Sequence, residues 1–311
     1  RAYAHELYLL MKYAGVSDVD LYHGNMRFDV NVSVSRDPSV LGTRSETKNL
    51  NSFKSVEKAV EYEIKRQIAV LEKGEQVVQE TRGWDDALQK TLSQRSKEDA
   101  HDYRYFPDPD IPPVEVAPEL VSEIAQTMPL LPAALRELFG EVGLDNAQIA
   151  TILEEPAVAE IVRLVIEQHD ATTAKTIALW CLGELMNTVS EATISWNDVR
   201  SALPLLVSLS SMVHDNKVNS TAAKSLLKEI IIHQSDPMQL ARDNDILQVS
   251  DESELVMIVE KVLAANEKAA DDVRNGELKA IGFLVGQVMK ESAGKANPAV
   301  VQQLIRKQLG G

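Results

Sequence analysis

The stretch Met26–Asn51, MRFDVNVSVSRDPSVLGTRSETKNLN, limits the possible folds most tightly. From Phe28 apolar and polar residues alternate strictly. Phe28, Val30, Val32 and Val34 fall on one face, and Arg27, Asp29, Asn31, Ser33 and Ser35 on the other. A period of two reads as a half-buried strand, so this part of the chain must contribute to a sheet. After Arg36-Asp37-Pro38-Ser39 and Gly42 a second extended piece runs from Thr43 to Asn49. It is polar on both sides, with Arg44, Glu46 and Lys48 pointing one way and Thr43, Ser45, Thr47 and Asn49 the other. Such a strand removes little apolar area from water and adds little to a core. Two readings stay open: one polar face lines a site, or the pair is a solvated edge hairpin.

The rest of the chain changes character partway. Residues 1–14 are in helical stride from the first position (Ala4, Leu7, Leu10, Met11, Ala14) and close near Gly15, so the sequence reads as a fragment that begins within an element. After the hairpin, Asn51 or Ser52 is placed to cap a long helix. Its Phe53, Val56, Val60, Ile64, Ile68 and Leu71 recur at three- and four-residue spacing, and Gly74 supplies the stop. An extended piece at 76–82 and a polar segment to Lys97 follow. The run from Asp102 to Pro113 is dense in aromatics and prolines and must be irregular. Beyond about residue 117 alternation stops and amphipathic helices take over. Examples are ATILEEPAVAEIVRLVIEQ, TTAKTIALWCLGELMNTV, STAAKSLLKEIIIHQ and DESELVMIVEKVLAAN. Asp251 with Glu254 has the spacing of a capping box, and Asn297-Pro298 that of a cap followed by proline at the first helical position. Asn275-Gly276 separates two helices and Gly310-Gly311 ends the last. A mixed first part and an all-helical remainder predict separate domains. A weakly helical stretch over 234–249 marks a second boundary.

Composition narrows the function classes. A net charge of −15 argues against broad non-specific binding to nucleic acid. The charge is uneven, however. Residues 251–272 are acidic, whereas 276–311 carry Lys279, Lys290, Lys295, Arg306 and Lys307 against Glu277 and Glu291. A single cysteine, Cys181 in an apolar helical context, excludes an internal disulfide framework and fits a reducing cytoplasm or an organelle matrix. No apolar run approaches the length of a membrane span. The six histidines show no metal-binding spacing. Gly286…Gly294-Lys295 fails as a phosphate loop, because Met289 stands where its first glycine belongs and Ala296 follows the lysine.

Longer blocks of sequence carry more. Met26-Arg-Phe-Asp-Val-Asn-Val-Ser-Val34 is followed by Leu41-Gly-Thr-Arg-x-Glu-x-Lys-Asn-Leu-Asn-Ser-Phe53, Tyr62-Glu-x-x-Arg-Gln67 and Gln79-Glu-Thr-Arg82. Then come His101-Asp-Tyr-Arg-Tyr-Phe-Pro-x-Pro-Asp110, Gly282-Phe-Leu-Val-Gly-Gln-Val-Met-Lys290 and Gly294-Lys-Ala-Asn-Pro298. In this order they resemble the GatB family, the B subunits of tRNA-dependent amidotransferases. The similarity spans most of the chain. The direct passage from Pro112-Pro113 into helix favours the B type over the archaeal E-type relatives, which carry an insertion there. Ser45 and Thr47 depart from the family, standing where apolar residues are more usual, and the front half of the family's catalytic domain is missing before Arg1.

The resemblance implies an α+β remnant of a cradle-like catalytic domain over 1–116, a helical domain over 117–235 and a YqeY-like tail over 236–311, the last similarity beginning as early as residue 160. It implies a ligase converting Glu-tRNA(Gln) or Asp-tRNA(Asn) to the amide. ATP and Mg²⁺ activate the carboxylate, and a partner of the A type supplies ammonia from glutamine. A small C-type partner and tRNA(Gln) or tRNA(Asn) complete the assembly, no membrane is involved, and this fragment alone is expected to be inactive. On this reading Asp29 and Glu46 are the candidate Mg²⁺ carboxylates. Lys48 and Arg44 are placed to stabilise phosphate charge, as phosphoryl transfer requires. Asn31, Ser33, Asn49 and Asn51 are neutral groups for substrate. Arg104 is a further candidate with a structural alternative. In the tail, Lys290, Lys295, Arg306 and Lys307 are candidate phosphate contacts. The rival reading makes the chain a tRNA-binding adaptor with all catalysis in the missing part. Convergence of Asp29, Glu46 and Lys48 in one cleft separates the two.

Overall fold

The computed structural model describes residues 1–94, 107–191, 193–248, 252–274, 277, 279–292 and 294–309. His101, Arg104, Asp251, Asn275-Gly276 and Gly310-Gly311 lie outside them. These residues fall into two compact units, Arg1–Ala134 and Leu135–Gly311.

The first unit is built on a four-stranded sheet. Helix α1 (Ala2–Tyr13) ends before Gly15, which takes a positive φ of 66°. Strands β1 (Phe28–Val32) and β2 (Ser45–Leu50) pair antiparallel. Helix α2 (Phe53–Glu72) then carries the chain over to β3 (Thr81–Asp85), which lies parallel to β2, and β4 (Lys90–Ser93) closes the order β1-β2-β3-β4. The β3–β4 hairpin starts at the end of the extended piece over 76–82 and runs on through a segment read only as polar. It turns through Gln89 at φ 49° and is locked to the core by Trp84, whose Nε1 donates to Asp86 at 2.8 Å.

Helix α2 starts where capping chemistry dictates. Ser52 Oγ accepts from the Ser55 amide at 3.0 Å, and Gly74 at φ 78° ends it. Its buried face follows the expected stripe only at the start, where Phe53 and Val56 join the core. Ile64, Ile68 and Leu71 are about 40% exposed, whereas Val56, Ala59, Glu63 and Gln67 turn onto the sheet. That face is apolar at its start and polar further on, and the polar part bonds to Ser45, which like Thr47 is fully buried. The remaining core joins Ala4, Phe28, Leu50 and Trp84 to the apolar end of α2.

After β4 every described element is a helix. Helix α3 (Pro118–Thr127) belongs to the first unit, and α4 (Pro132–Glu141) crosses the boundary. The segment 150–168, predicted as one helix, is two: α5 (Asn146–Glu154) and α6 (Pro156–Gln168). Pro156 cannot donate to a continuing helix but suits the first turn of a new one. Next, α7 (Ala171–Trp180) passes through a π-helical turn, Cys181–Leu185, into α8 (Met186–Ser190). Cys181 is buried there, and burial pushes its thiol up to about 12. Then follow α9 (Trp196–Ser201), α10 (Leu203–His214), α11 (Ser220–His233) and α12 (Pro237–Asp243). The last four are α13 (Glu252–Ala265), α14 (Glu267–Arg274), α15 (Lys279–Glu291) and α16 (Pro298–Leu309). They share a core of Leu255, Val259, Ile281, Leu284, Val301 and Ile305, among others. No helix is long and apolar enough to cross a membrane among the described residues.

Candidate functional site

The sheet has two sides with different jobs. Beneath it, against α2, Glu63 is fully buried and accepts from Arg66 Nη2 at 2.8 Å and from Ser45 Oγ at 2.7 Å. It also meets Arg82 Nε at 3.0 Å and the hydroxyl of Thr91. Gln67 Nε2 donates to Val32 O and to Ser45 Oγ. One carboxylate on α2 thus ties down β2, β3 and β4. Burial would push the Glu63 carboxyl up. The hydrogen bonds from Arg66, Thr91 and Ser45, and the Arg66 charge, overcome this and hold it down to about 2.

The other side faces solvent. Lys48 Nζ stands 3.8 Å from Asp29 and 3.6 Å from Glu46, and Thr81 Oγ1 donates to Glu46 at 3.2 Å. These ion pairs are half exposed, and pairs of that kind contribute little to stability, typically about 0.2 to 1 kcal/mol. Fold stability therefore gives no reason to gather two carboxylates around one ammonium here.

A β-bulge shapes the end of this face. Phe28 pairs with Leu50 and Val30 with Thr47, so β2 carries one extra residue. Asn49 absorbs it at a positive φ of 65°, a conformation asparagine tolerates better than most residues. The bulge breaks the alternation expected along β2. Leu50 turns into the core, and Lys48 and Asn49 both face an open cleft of about 620 Å³. Asp29, Asn51, Arg27 and the turn Leu21–Gly24 complete its lining. The turn is closed by Asp20, which accepts from the His23 amide and ring at 2.8 and 2.7 Å. The Arg27 guanidinium passes close over Gly24, where a Cβ would meet Nη2 at 2.9 Å. Asn51 immediately precedes the cap of α2, so the positive end of that helix lies at this corner of the cleft.

Four of the expected residues, Asp29, Lys48, Asn49 and Asn51, therefore line one cleft, and Glu46 joins them through Lys48. Arg44, Asn31 and Ser33 are exposed and stand outside its lining. Arg27, Tyr22 and His23 line it without having been singled out, Arg27 having been read only as a polar strand residue. In the second unit Lys290, Arg306 and Lys307 are exposed. Lys295 instead forms a close ion pair with Asp245, beside hydrogen bonds from Asn219 to Gly294 O (3.0 Å) and from Asn297 to Asn216 (2.6 Å). The 294–297 segment thus fastens the last helices to the loops before α11 and after α12.

The donor set fits magnesium. Asp29 and Glu46 offer hard carboxylate oxygens, and Mg²⁺ takes one or two carboxylates beside water and substrate phosphates. Among the described residues no group of three or more His, Cys, Asp or Glu comes together, so the cleft offers no all-protein metal cage.

Two family models match the chain, the GatB/GatE catalytic domain over residues 1–122 and the GatB domain over 160–309. Among curated relatives, a protein of Carboxydothermus hydrogenoformans is 40% identical over 313 residues, 99% of this chain and 64% of its own. One of Caldanaerobacter subterraneus subsp. tengcongensis is 40% identical over 309 residues, covering 99% of this chain and 65% of its own. One of Acaryochloris marina is 36% identical, covering 99% and 63%. All three are named as the B component of an aspartyl/glutamyl-tRNA(Asn/Gln) amidotransferase. The chain spans somewhat under two thirds of the length of these relatives.

Proposed function

Because the chain belongs to the GatB family, we propose that it supplies part of the active site of a tRNA-dependent amidotransferase acting on Glu-tRNA(Gln), Asp-tRNA(Asn) or both. The observation that carries this reading is the placing of Asp29 and Glu46 around Lys48 beside a polar cleft. Cations and carboxylates side by side suit a phosphate that brings a divalent cation. Lys48 and Arg27 offer positive charge to the phosphates of ATP and to the acyl phosphate formed from the substrate carboxylate. Asp29 and Glu46 would hold Mg²⁺, which when bound neutralises phosphate charge. Asn49 and Asn51 offer amide groups that both donate and accept, a fit to the polar parts of an aminoacyl-tRNA terminus.

Residues 1–116 are on this reading part of a cradle-like catalytic domain. The helical parts, 117–235 and 236–311, hold tRNA. A partner of the A type delivers ammonia, and a small C-type partner braces the pair. The test is made in the complete amidotransferase assembly, with Asp29→Asn and Glu46→Gln assayed across a magnesium series. Either variant is expected to lower ATP-dependent amide formation at least tenfold and to raise the magnesium needed for half-maximal rate. Turnover and magnesium dependence like the parent's would remove both carboxylates from the site and favour the adaptor reading.

A further inference from the structure

The turn that walls one side of the cleft is held more firmly than a surface turn needs. Val19, at its root, is buried at a φ of 49°, a conformation a β-branched residue adopts only when its surroundings impose it. Asp20 follows, and its carboxylate grips His23 twice. It accepts from the backbone amide at 2.8 Å and from ring Nδ1 at 2.7 Å. The Asn25 amide donates to the Asp20 carbonyl at 2.9 Å and closes the turn. The Tyr22 ring stands edge-on to the imidazole, with centroids 5.2 Å apart. The bonds from the His23 ring and amide hold the Asp20 carboxyl below its ordinary value, so it is an anion at neutral pH. Nδ1 must then carry the hydrogen of the shared bond, and Nε2 of the neutral ring keeps a free lone pair. A carboxylate that fixes the tautomer and orientation of a histidine leaves it ready to take a proton.

We infer that His23, oriented by Asp20, is the general base of the amide-forming step. The inference rests on the amidotransferase reading above and adds a proton acceptor that the reading leaves unassigned. Other groups at the cleft are committed elsewhere: Lys48 and Arg27 are cations, Asp29 and Glu46 face magnesium, and Asn49 and Asn51 are neutral amides. Ammonia attacks the carbonyl carbon of the acyl phosphate. A C–N bond forms, the C–O bond to phosphate breaks, and phosphate leaves with the electron pair. The nitrogen then holds one proton too many, and His23 Nε2 takes it. The imidazolium lies against the Asp20 carboxylate, which stabilises it, and a side chain 71% exposed returns the proton to water. A histidine that bound phosphate as a cation would serve the ATP step as well, which separates the two roles.

The experiment uses the complete amidotransferase assembly with ammonium chloride as nitrogen donor, so that glutamine hydrolysis plays no part. ADP formed in a single turnover without ammonia reports carboxylate activation, and amide formed after ammonia is added reports the second step. His23→Ala is expected to keep ADP formation within about twofold and to lower amide formation about a hundredfold, as loss of a general base does. Asp20→Asn should lower amide formation roughly tenfold, again with ADP formation kept. Free imidazole should restore amide formation to His23→Ala at least tenfold and do nothing for Asp20→Asn, a rescue that a merely structural histidine would not show. Amide formation near the parent's in His23→Ala overturns the inference, as does a loss that imidazole leaves in place. A loss shared equally by ADP formation overturns it in favour of a phosphate contact. In each of these cases a working parent leaves the amidotransferase reading standing. A parent assembly that forms neither ADP nor amide overturns both.

Discussion

At Glu63 a fully buried carboxylate faces two guanidiniums, Arg66 and Arg82, and three strands depend on it. Glu63→Gln takes the counter-charge from Arg66 and leaves Arg82 with Glu80 alone, and breaking a buried pair in this way costs about 3 to 5 kcal/mol. Urea denaturation of the two proteins at neutral pH measures it. The pH dependence follows with a definite sign. Glu63 has a folded-state pKa of about 2, below the ordinary 4.5, so the unfolded chain binds more protons between those values. The carboxylate's contribution, about 3 kcal/mol, is fully present above pH 4.5 and is lost as pH falls toward 2. Stability of the parent should therefore fall more steeply over that window than stability of Glu63→Gln. Glu63 and Gln67 could have been found in the sequence. They continue the stripe begun by Val56 and Ala59, and the doubly polar strand before them needed a polar partner. The easier apolar stripe of Ile64, Ile68 and Leu71 concealed it.

Among elements, β2 shows best what period-two reasoning reaches and where it stops. Alternation located β1, β2 and a polar face bearing Asp29, Glu46 and Lys48. It could not show the bulge at Asn49, because an inserted residue leaves no mark in polarity when its neighbours are also polar. It was the bulge that placed Lys48 and Asn49 side by side in the cleft. The second polar face of β2, left open between site and solvent, is the buried one over Glu63. The β3–β4 hairpin escaped notice for a similar reason, since half-buried Arg82 and buried Thr91 are polar residues in short strands. Gly42 did more than punctuate the hairpin. A Cβ there would lie 2.1 Å from the Val34 carbonyl oxygen, a backbone atom that cannot swing away. Gly42→Ala should cost about 1 to 3 kcal/mol, the usual range for overpacking, as read by thermal melting. Ala at Gly74, where nothing lies near, would meet only the strain of a positive φ.

On the scale of the whole chain, the passage from a mixed sheet-bearing part to an all-helical remainder was legible because hydrophobic period changes from about 2 to about 3.6 near residue 117, whereas the two compact units divide further on, after Ala134. The family was legible in long blocks of sequence that no periodicity explains. Contacts that join distant segments were not, since Lys295 and Asp245 are 50 positions apart and nothing local pairs them. That pairing divides the candidate tail cations by task. Lys295 holds the last helices to the rest of their unit, and Lys290, Arg306 and Lys307 are exposed.

The most direct test of the proposed chemistry is Lys48→Ala in the complete amidotransferase assembly, with amide formation and tRNA affinity measured on the same preparation. The cleft reading predicts that turnover falls by about two to three orders of magnitude, the usual effect of removing one group that stabilises transition-state charge, while tRNA affinity is unchanged. Near-parental turnover would contradict it.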